Sequence, residues 1–305
     1  MAVWEPEHVV DEPLARRLLG QFPELSPDGL RLLAFGWDYT IWVVEERYAF
    51  RFPRRKIVLP GLERELTVLP KLAALLPLPV PVPLFVGRPS DDFPWPFFGS
   101  ALLPGRELAE AGLDDDGRLE VALGLAAFLR TLHDVELDEP LPLDVNRRAD
   151  MPHRVALVRK QLDELGRHEA AAERVLAEAE GLPPPEHVAL VHGDLHVRQV
   201  LAEGTRLTGV IDWVDVCRSD PAIDLSLLWS FVPPASRGAF REAYGPLDEA
   251  QLLRARVLAL SLCAALAGHA HAEGLAEVER EALAGLARAL DGDTGTGKQP
   301  LCYPT

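Results

Sequence analysis

The residues of this sequence with the most chemistry to offer lie between positions 188 and 226. The run VALVHGDLHVRQVL is apolar up to Val191, then presents His192, Gly193, Asp194, Leu195 and His196, and resumes an apolar pattern after Gln199. A second apolar stretch, LTGVIDW, ends at Asp212. EGT at 203–205 reads as a hairpin turn between them, so the two strands pair and bring both carboxylates to one edge. A glycine beside a carboxylate at a strand end suits a tight loop that exposes the acid. Two acids with separate tasks are what phosphoryl transfer requires: one orients the attacking hydroxyl and accepts its proton, the other holds a metal against the phosphates. Read singly, each is an ordinary turn residue making local hydrogen bonds. His192, Asp194 and His196 also form an HxDxH pattern that a metal-dependent hydrolase could use, but no second His-rich motif follows to complete it.

The motifs HGDLHxxQ and VIDWxDxxxxDPAxDLS resemble those of the aminoglycoside phosphotransferase family, which includes macrolide, choline and homoserine kinase relatives and shares the protein-kinase fold. The similarity is highly specific from His192 to Ser226 and colinear, though weaker, from about Gly36 to Leu132. The resemblance implies that Asp194 is the catalytic base and Asp212 a ligand of Mg²⁺, with ATP or GTP as phosphate donor. Gln199 stands where the family usually has a metal-binding Asn; it keeps the amide oxygen on a stem one methylene longer. His192 matches a histidine that braces the catalytic loop. Asp224 matches an acid that anchors that loop through backbone hydrogen bonds. Asp215 and Asp220 read as capping or turn groups, with Asp220 before Pro221 marking a helix start, and His133 matches a packing residue.

Upstream, RYAFRFP alternates, with Tyr48, Phe50 and Phe52 on one face and Ala49 and Arg51 on the other. By resemblance Ala49 packs on the nucleotide base and Arg51 contacts phosphate, through a planar fork where a lysine would offer a point charge. Glu65, with Glu63 as a nearby rival, would pair with Arg51. Gly36 takes the place of a glycine-rich loop, and Leu102 and Leu103 form a hinge with backbone contacts to the base. A nucleotide-binding pseudokinase is the alternative function, because Arg51 and Gln199 both depart from the commonest ligands.

The elements that must position these groups fall into two sets. Residues 1–103 are rich in Tyr, Trp, Phe and Val and predict a small antiparallel sheet; residues 104–305 are dominated by Ala, Leu, Glu and Arg and predict a helical lobe carrying the catalytic loop and acceptor site. The fold class expected is therefore α+β, a protein-kinase-like two-lobed chain. Strands are predicted at Leu30 to Phe35, Thr40 to Val44, Arg47 to Phe52, Val82 to Val86 and Phe97 to Leu102. A helix is predicted from Leu62 to Leu75, and the division falls at Pro104 and Gly105. Helices follow at Arg118 to Leu132, Val155 to Glu180, Leu247 to Ala267 and Ala276 to Leu290.

The formal charge is -16, from 47 acidic against 31 basic residues, so the mean field repels polyanions. That argues against a nucleic-acid partner and favours a cationic small-molecule acceptor. Cys217, Cys263 and Cys302 make no CxxC pair, which fits a reducing cytoplasm and suggests neither a disulfide framework nor a zinc site. The acidic start of the chain is unlike a secretory signal, and no later apolar run reaches about 18 residues, so no membrane association is expected. GDTGTGK at 292–298 fits the skeleton of a phosphate-binding loop, yet Gln299 follows where Ser or Thr is needed and no strand precedes it; it reads as tail composition. The acceptor pocket is expected from 146–164 and from around Trp229 to Tyr244.

Overall fold

The structure is a computed structural model that describes residues 6–26, 28–36 and 38–292. It opens with α1 (Glu12–Leu19), capped by Asp11, whose carboxylate accepts from the Leu14 N–H at 2.9 Å. Five antiparallel strands follow: β1 (Arg31–Phe35), β2 (Tyr39–Val44), β3 (Tyr48–Pro53), β4 (Pro83–Gly87) and β5 (Phe97–Ala101), in the order β1-β2-β3-β5-β4. The β2–β3 hairpin turns through Glu45 and Glu46, both left-handed, with φ of 56° and 50°. Mirror-image turns of this kind match the twist of the flanking strands. Arg31 steadies the turn by pairing with Glu46 at 2.9 Å.

The sheet has two differently used faces. Phe50 and Phe52 point to the outer face and pack with Phe93, Phe97 and the buried side of α1. Arg51 points inward, toward Tyr39, Phe98 and α2 (Leu59–Leu72), whose Leu62 is fully buried. The sequence placed α2 a turn later than it lies: Pro60 is accommodated at the helix start, where no intrahelical N–H is needed.

Beyond Pro104 the chain forms β6 (Arg106–Glu107), α3 (Asp115–His133), α4 (Met151–Glu164), α5 (Ala170–Glu180), β7 (Ala189–Val191), β8 (Val200–Glu203), β9 (Arg206–Val210), β10 (Cys217–Ser219), α6 (Ser226–Ser230), α7 (Arg237–Tyr244), α8 (Glu249–Glu273) and α9 (Ala276–Leu290). The single helix expected over 155–180 is two, because the chain turns at Gly166 and the Arg167 N–H reaches back to Leu162 O at 2.8 Å. By length and composition α8 could cross a membrane; in this fold it packs against α4, α5, α6 and α9 as the central helix of the lobe. Buried Arg254 on α8 pairs with buried Asp220 at 3.1 Å, so that charge is compensated within the core.

Two small sheets carry the chemistry-bearing loops. β7 pairs with β10, and β6, β8 and β9 form a three-stranded sheet, all antiparallel. Trp213, fully buried after β9, meets Phe128 of α3 edge-on and ties these loops to the helical core.

Candidate active site

Asp194 lies in the loop between β7 and β8, and Asp212 stands two residues beyond the end of β9. Because β8 and β9 are one hairpin, with Val200 opposite Val210, both acids emerge at its same end. Asp212 sits at φ 66°, a left-handed conformation that costs a non-glycine residue about 1–3 kcal/mol and is retained where surrounding contacts demand it.

The loop before β8 is held by buried polar contacts. The Asp224 carboxylate accepts from the His192 N–H at 2.7 Å and the Gly193 N–H at 3.0 Å. His133 reaches the same carboxylate with Nε2 at 3.2 Å and the Tyr244 hydroxyl with Nδ1 at 2.8 Å. Burial alone would raise the Asp224 carboxyl, but the His133 hydrogen bond and charge and the backbone donors hold it below the usual range. His192 Nε2 donates to Ile211 O at 2.9 Å, and its Nδ1 accepts from the Asp194 N–H at 3.3 Å. Burial keeps this ring neutral, which the second contact needs. His192 thus links the Asp194 loop to the residue before Asp212.

From the sheet, Arg51 reaches across to the same place. It pairs with Glu65 of α2 and with Asp212, each at 2.5 Å, while lying over the Tyr39 ring at 4.2 Å. Burial works against the Arg51 charge, but Glu65 and Asp212 outweigh it and raise the guanidinium. Burial also pushes the Glu65 carboxyl up to about 7, against the pull of Arg51. Glu65 accepts as well from the Trp213 N–H at 3.1 Å. Glu63, the rival acid, makes no such contact; its carbonyl accepts from the Thr67 hydroxyl. α2 comes this close because Gly61 lies against Val214: a Cβ there would stand 2.6 Å from the Val214 carbonyl oxygen.

Gln199 completes an oxygen-rich corner. Its Nε2 donates to Asp212 at 3.4 Å, and its Oε1 is buried with no hydrogen-bond partner among the described residues. A buried carbonyl oxygen without a donor, beside a carboxylate, is a donor set that fits a hard cation. The HxDxH pattern does not form a metal cluster: both nitrogens of His192 are occupied, His196 Nδ1 accepts from the Arg198 N–H, and no group of three such ligands converges among the described residues.

The other residues expected at the site have these surroundings. Gly36 spends its backbone on its own turn, donating to Tyr39 O at 3.0 Å and accepting from Arg54, so it has no free group for phosphate. The Leu102 N–H is taken by Arg47 O at 2.7 Å, whereas the Leu103 N–H has no hydrogen bond to a described residue. Ala49 faces inward opposite Ser100. Trp229 is clamped between Arg237 and Arg256 at 4.4 and 4.8 Å, and Tyr244 is buried on His133, so these two aromatic side chains are interior while Ala235, Gly238, Glu242 and Ala243 of the same segment are exposed. The 292–298 stretch falls outside the described residues apart from Gly292.

The model of the phosphotransferase enzyme family matches residues 29–260. The chain belongs to this family. No curated protein sequence matches this phosphotransferase at a comparable level. Among solved structures it is similar to the GDP complex of aminoglycoside 2'-phosphotransferase IIIa, at 21% identity and a TM-score of 0.71, over 92% of this chain and 98% of that one. It is similar to the macrolide 2'-phosphotransferase apoenzyme of Brachybacterium faecium, at 23% identity and a TM-score of 0.62, over 90% of this chain and 98% of that one. A ternary complex of aminoglycoside 2''-phosphotransferase IIa with streptomycin and ATP gives 20% identity and a TM-score of 0.59, over 84% of this chain and 88% of that one. Identities this low carry the fold: an α+β, protein-kinase-like arrangement.

Around the site residues lie Arg148 and Asp38, which the sequence did not single out, and Asp215, which it offered only as a capping or turn group. Arg148, between α3 and α4, pairs with Asp194 Oδ1 at 2.8 Å and Asp215 Oδ2 at 2.7 Å. Asp215 also accepts from Asn146 Nδ2 at 2.7 Å. Asp38, beside Gly36, pairs with Arg55 and is raised by burial, with Asp212 and Asp215 near enough to add to the shift.

Proposed function

We propose that this phosphotransferase moves the γ-phosphate of ATP or GTP onto a hydroxyl of a small molecule of the aminoglycoside or macrolide type. The observation that carries the proposal is the delivery of Asp194 and Asp212 to one end of the β8–β9 hairpin, with Arg51 bonded to Asp212. The nucleotide lies between residues 1–103 and 104–305, with Ala49 against the base and Leu103 at the hinge. Asp212 and Gln199 would hold Mg²⁺, which when bound neutralises phosphate charge. Arg51, fixed by Glu65, supplies the fork for phosphate oxygens. Asp194 accepts a hydrogen bond from the acceptor hydroxyl and takes its proton as the phosphorus–oxygen bond forms. Catalysis of this kind rests on positioning and electrostatics.

The acceptor class is supported by the kin of the fold: solved relatives hold kanamycin, gentamicin or streptomycin. Asp194, Asp215 and Asp38 outnumber the arginines they pair with, Arg148 and Arg55, and this acidic excess suits a cationic acceptor. The two buried free cysteines, Cys217 and Cys263, fit a reducing cytoplasm.

The test is transfer from γ-labelled ATP or GTP, with Mg²⁺, to kanamycin, gentamicin, streptomycin and a macrolide. Labelled product with at least one acceptor is expected. Nucleotide binding without transfer or hydrolysis would instead favour a pseudokinase.

A further inference from the structure

Arg148 is the only residue whose side chain bridges Asp194 to a second acid among the described residues. We infer that Arg148 is a positioning residue: its guanidinium, clamped between Asp194 and Asp215, fixes the direction in which the Asp194 carboxylate meets the acceptor hydroxyl. This rests on the phosphotransfer proposed above.

The clamp is built rather than incidental. The Arg148 side chain is 13% exposed. One nitrogen, Nη2, meets Asp194 Oδ1 and Asp215 Oδ2, so the two carboxylates are tied through a single point. The loop that carries it is pinned on three sides. The Asp144 carboxylate accepts from the N–H groups of Arg148 and Ala149 at 2.7 and 2.9 Å. The Asp144 N–H bonds Arg218 O of β10 at 3.0 Å, and Arg154 reaches Asn146 O at 3.0 Å. Asp144 and Arg147 both sit at positive φ, 36° and 51°. Non-glycine residues hold such conformations where the surroundings over-determine them.

The two oxygens of Asp194 are left with different partners. Oδ1 faces Arg148, while Oδ2 has His196 Nε2 at 3.9 Å, beyond hydrogen-bond reach, and no bond to another described residue. Burial and nearby cations hold the His196 ring neutral, so it does not compete as an ion partner. Arg148 therefore occupies one oxygen and presents the other. Asp215 and Asn146 act at one further remove, by fixing Arg148.

The test compares Arg148→Lys, Arg148→Gln and Asp215→Asn with the parent protein, using Mg·ATP or Mg·GTP and kanamycin, or water as the acceptor if kanamycin is not phosphorylated. Arg148→Gln should lower kcat between about tenfold and about a hundredfold, the cost of small misplacement at a reacting centre. KM for nucleotide and acceptor should stay within about twofold, because the clamp acts on direction and not on binding. Arg148→Lys should recover part of the loss, and Asp215→Asn should repeat it in weaker form. A raised acceptor KM with unchanged kcat would overturn the inference in favour of acceptor binding. Faster acceptor-independent hydrolysis in Arg148→Gln would overturn it in favour of a latch. Equal kcat per folded molecule with a lower Tm would reduce Arg148 to a structural role. If the parent protein turns over neither nucleotide, the proposed phosphotransfer itself fails; if only the Arg148 variants match the parent, the positioning role alone fails.

Discussion

At Asp194, burial outweighs the opposing pull of Arg148, and Asp215, Asp212 and Asp38 add to it, so the carboxyl is pushed up to about 7. The sign follows directly: below that value the group is neutral and cannot accept a proton, above it the group is anionic and competent. For the free protein, kcat/KM should therefore fall as pH drops through about 7, and not near 4 as for an ordinary carboxylate. A pH profile of kcat/KM flat down to pH 5 would contradict the assignment. Glu65 is raised into the same range but lies behind Arg51, so Glu65→Gln should lower activity without moving that limb. Gly193 offers a second test at this scale. It holds φ of 93°, and a Cβ there would collide with the Asp215 backbone. Gly193→Ala should cost about 1–3 kcal/mol in stability, read by denaturant unfolding, and displace Asp194. The acids at 194 and 212 stood out because each ends an apolar strand pattern of one hairpin, and Asp224 only through the resemblance of DPAIDLS to a family motif. Arg148 did not, since its partners are 46 and 67 positions away in the chain and nothing local marks it.

Elements repeat this contrast between local and distant causes. The strand around Phe50 announced itself by alternation, the one around Thr40 by its run of strand-forming residues, and the β8–β9 hairpin by its EGT turn. α9 lies over Ala276–Leu290, the span expected. α1 was missed because eight residues are too short for a helix to stand on its own sequence; it gains stability by laying Ala15, Leu18 and Leu19 on the outer face of the sheet. β6 and β10 are two and three residues long, and only their pairing with β8 and β7 defines them. The contact of α2 with the segment after Asp212 is likewise a matter of packing. Gly61 permits it, and Arg64 donates to Val214 O at 2.7 Å. Gly61→Ala should destabilise the protein by about 1–3 kcal/mol through overpacking and draw Glu65 off the Trp213 N–H. Its kcat should fall more than its Tm predicts; a variant with parental kcat would show that the α2 contact does not support Arg51.

Across the whole molecule a formal charge of -16 opposes a polyanionic ligand, so the site must supply its own cations. Arg51 is one, and a metal on Asp212 and Gln199 would be the other. Nucleotide with Mg²⁺ should accordingly raise Tm more than nucleotide alone; at a hundred times its Kd, Mg·nucleotide should stabilise the protein by about 2.7 kcal/mol relative to the ligand-free state. Asp212→Asn should abolish the metal-dependent part of that shift, whereas equal shifts with and without Mg²⁺ would remove Asp212 from the ligand set. The change from a sheet to helices was readable from the composition, and the Arg51–Glu65 pair from the family resemblance, but the Arg51–Asp212 contact was not, because 161 positions separate the two residues. The most direct measurement is the turnover and nucleotide affinity of Asp194→Ala side by side. Transfer should fall about a thousandfold while Kd for Mg·nucleotide stays within about threefold. Turnover equal to that of the parent protein would mean that Asp194 does not engage the acceptor.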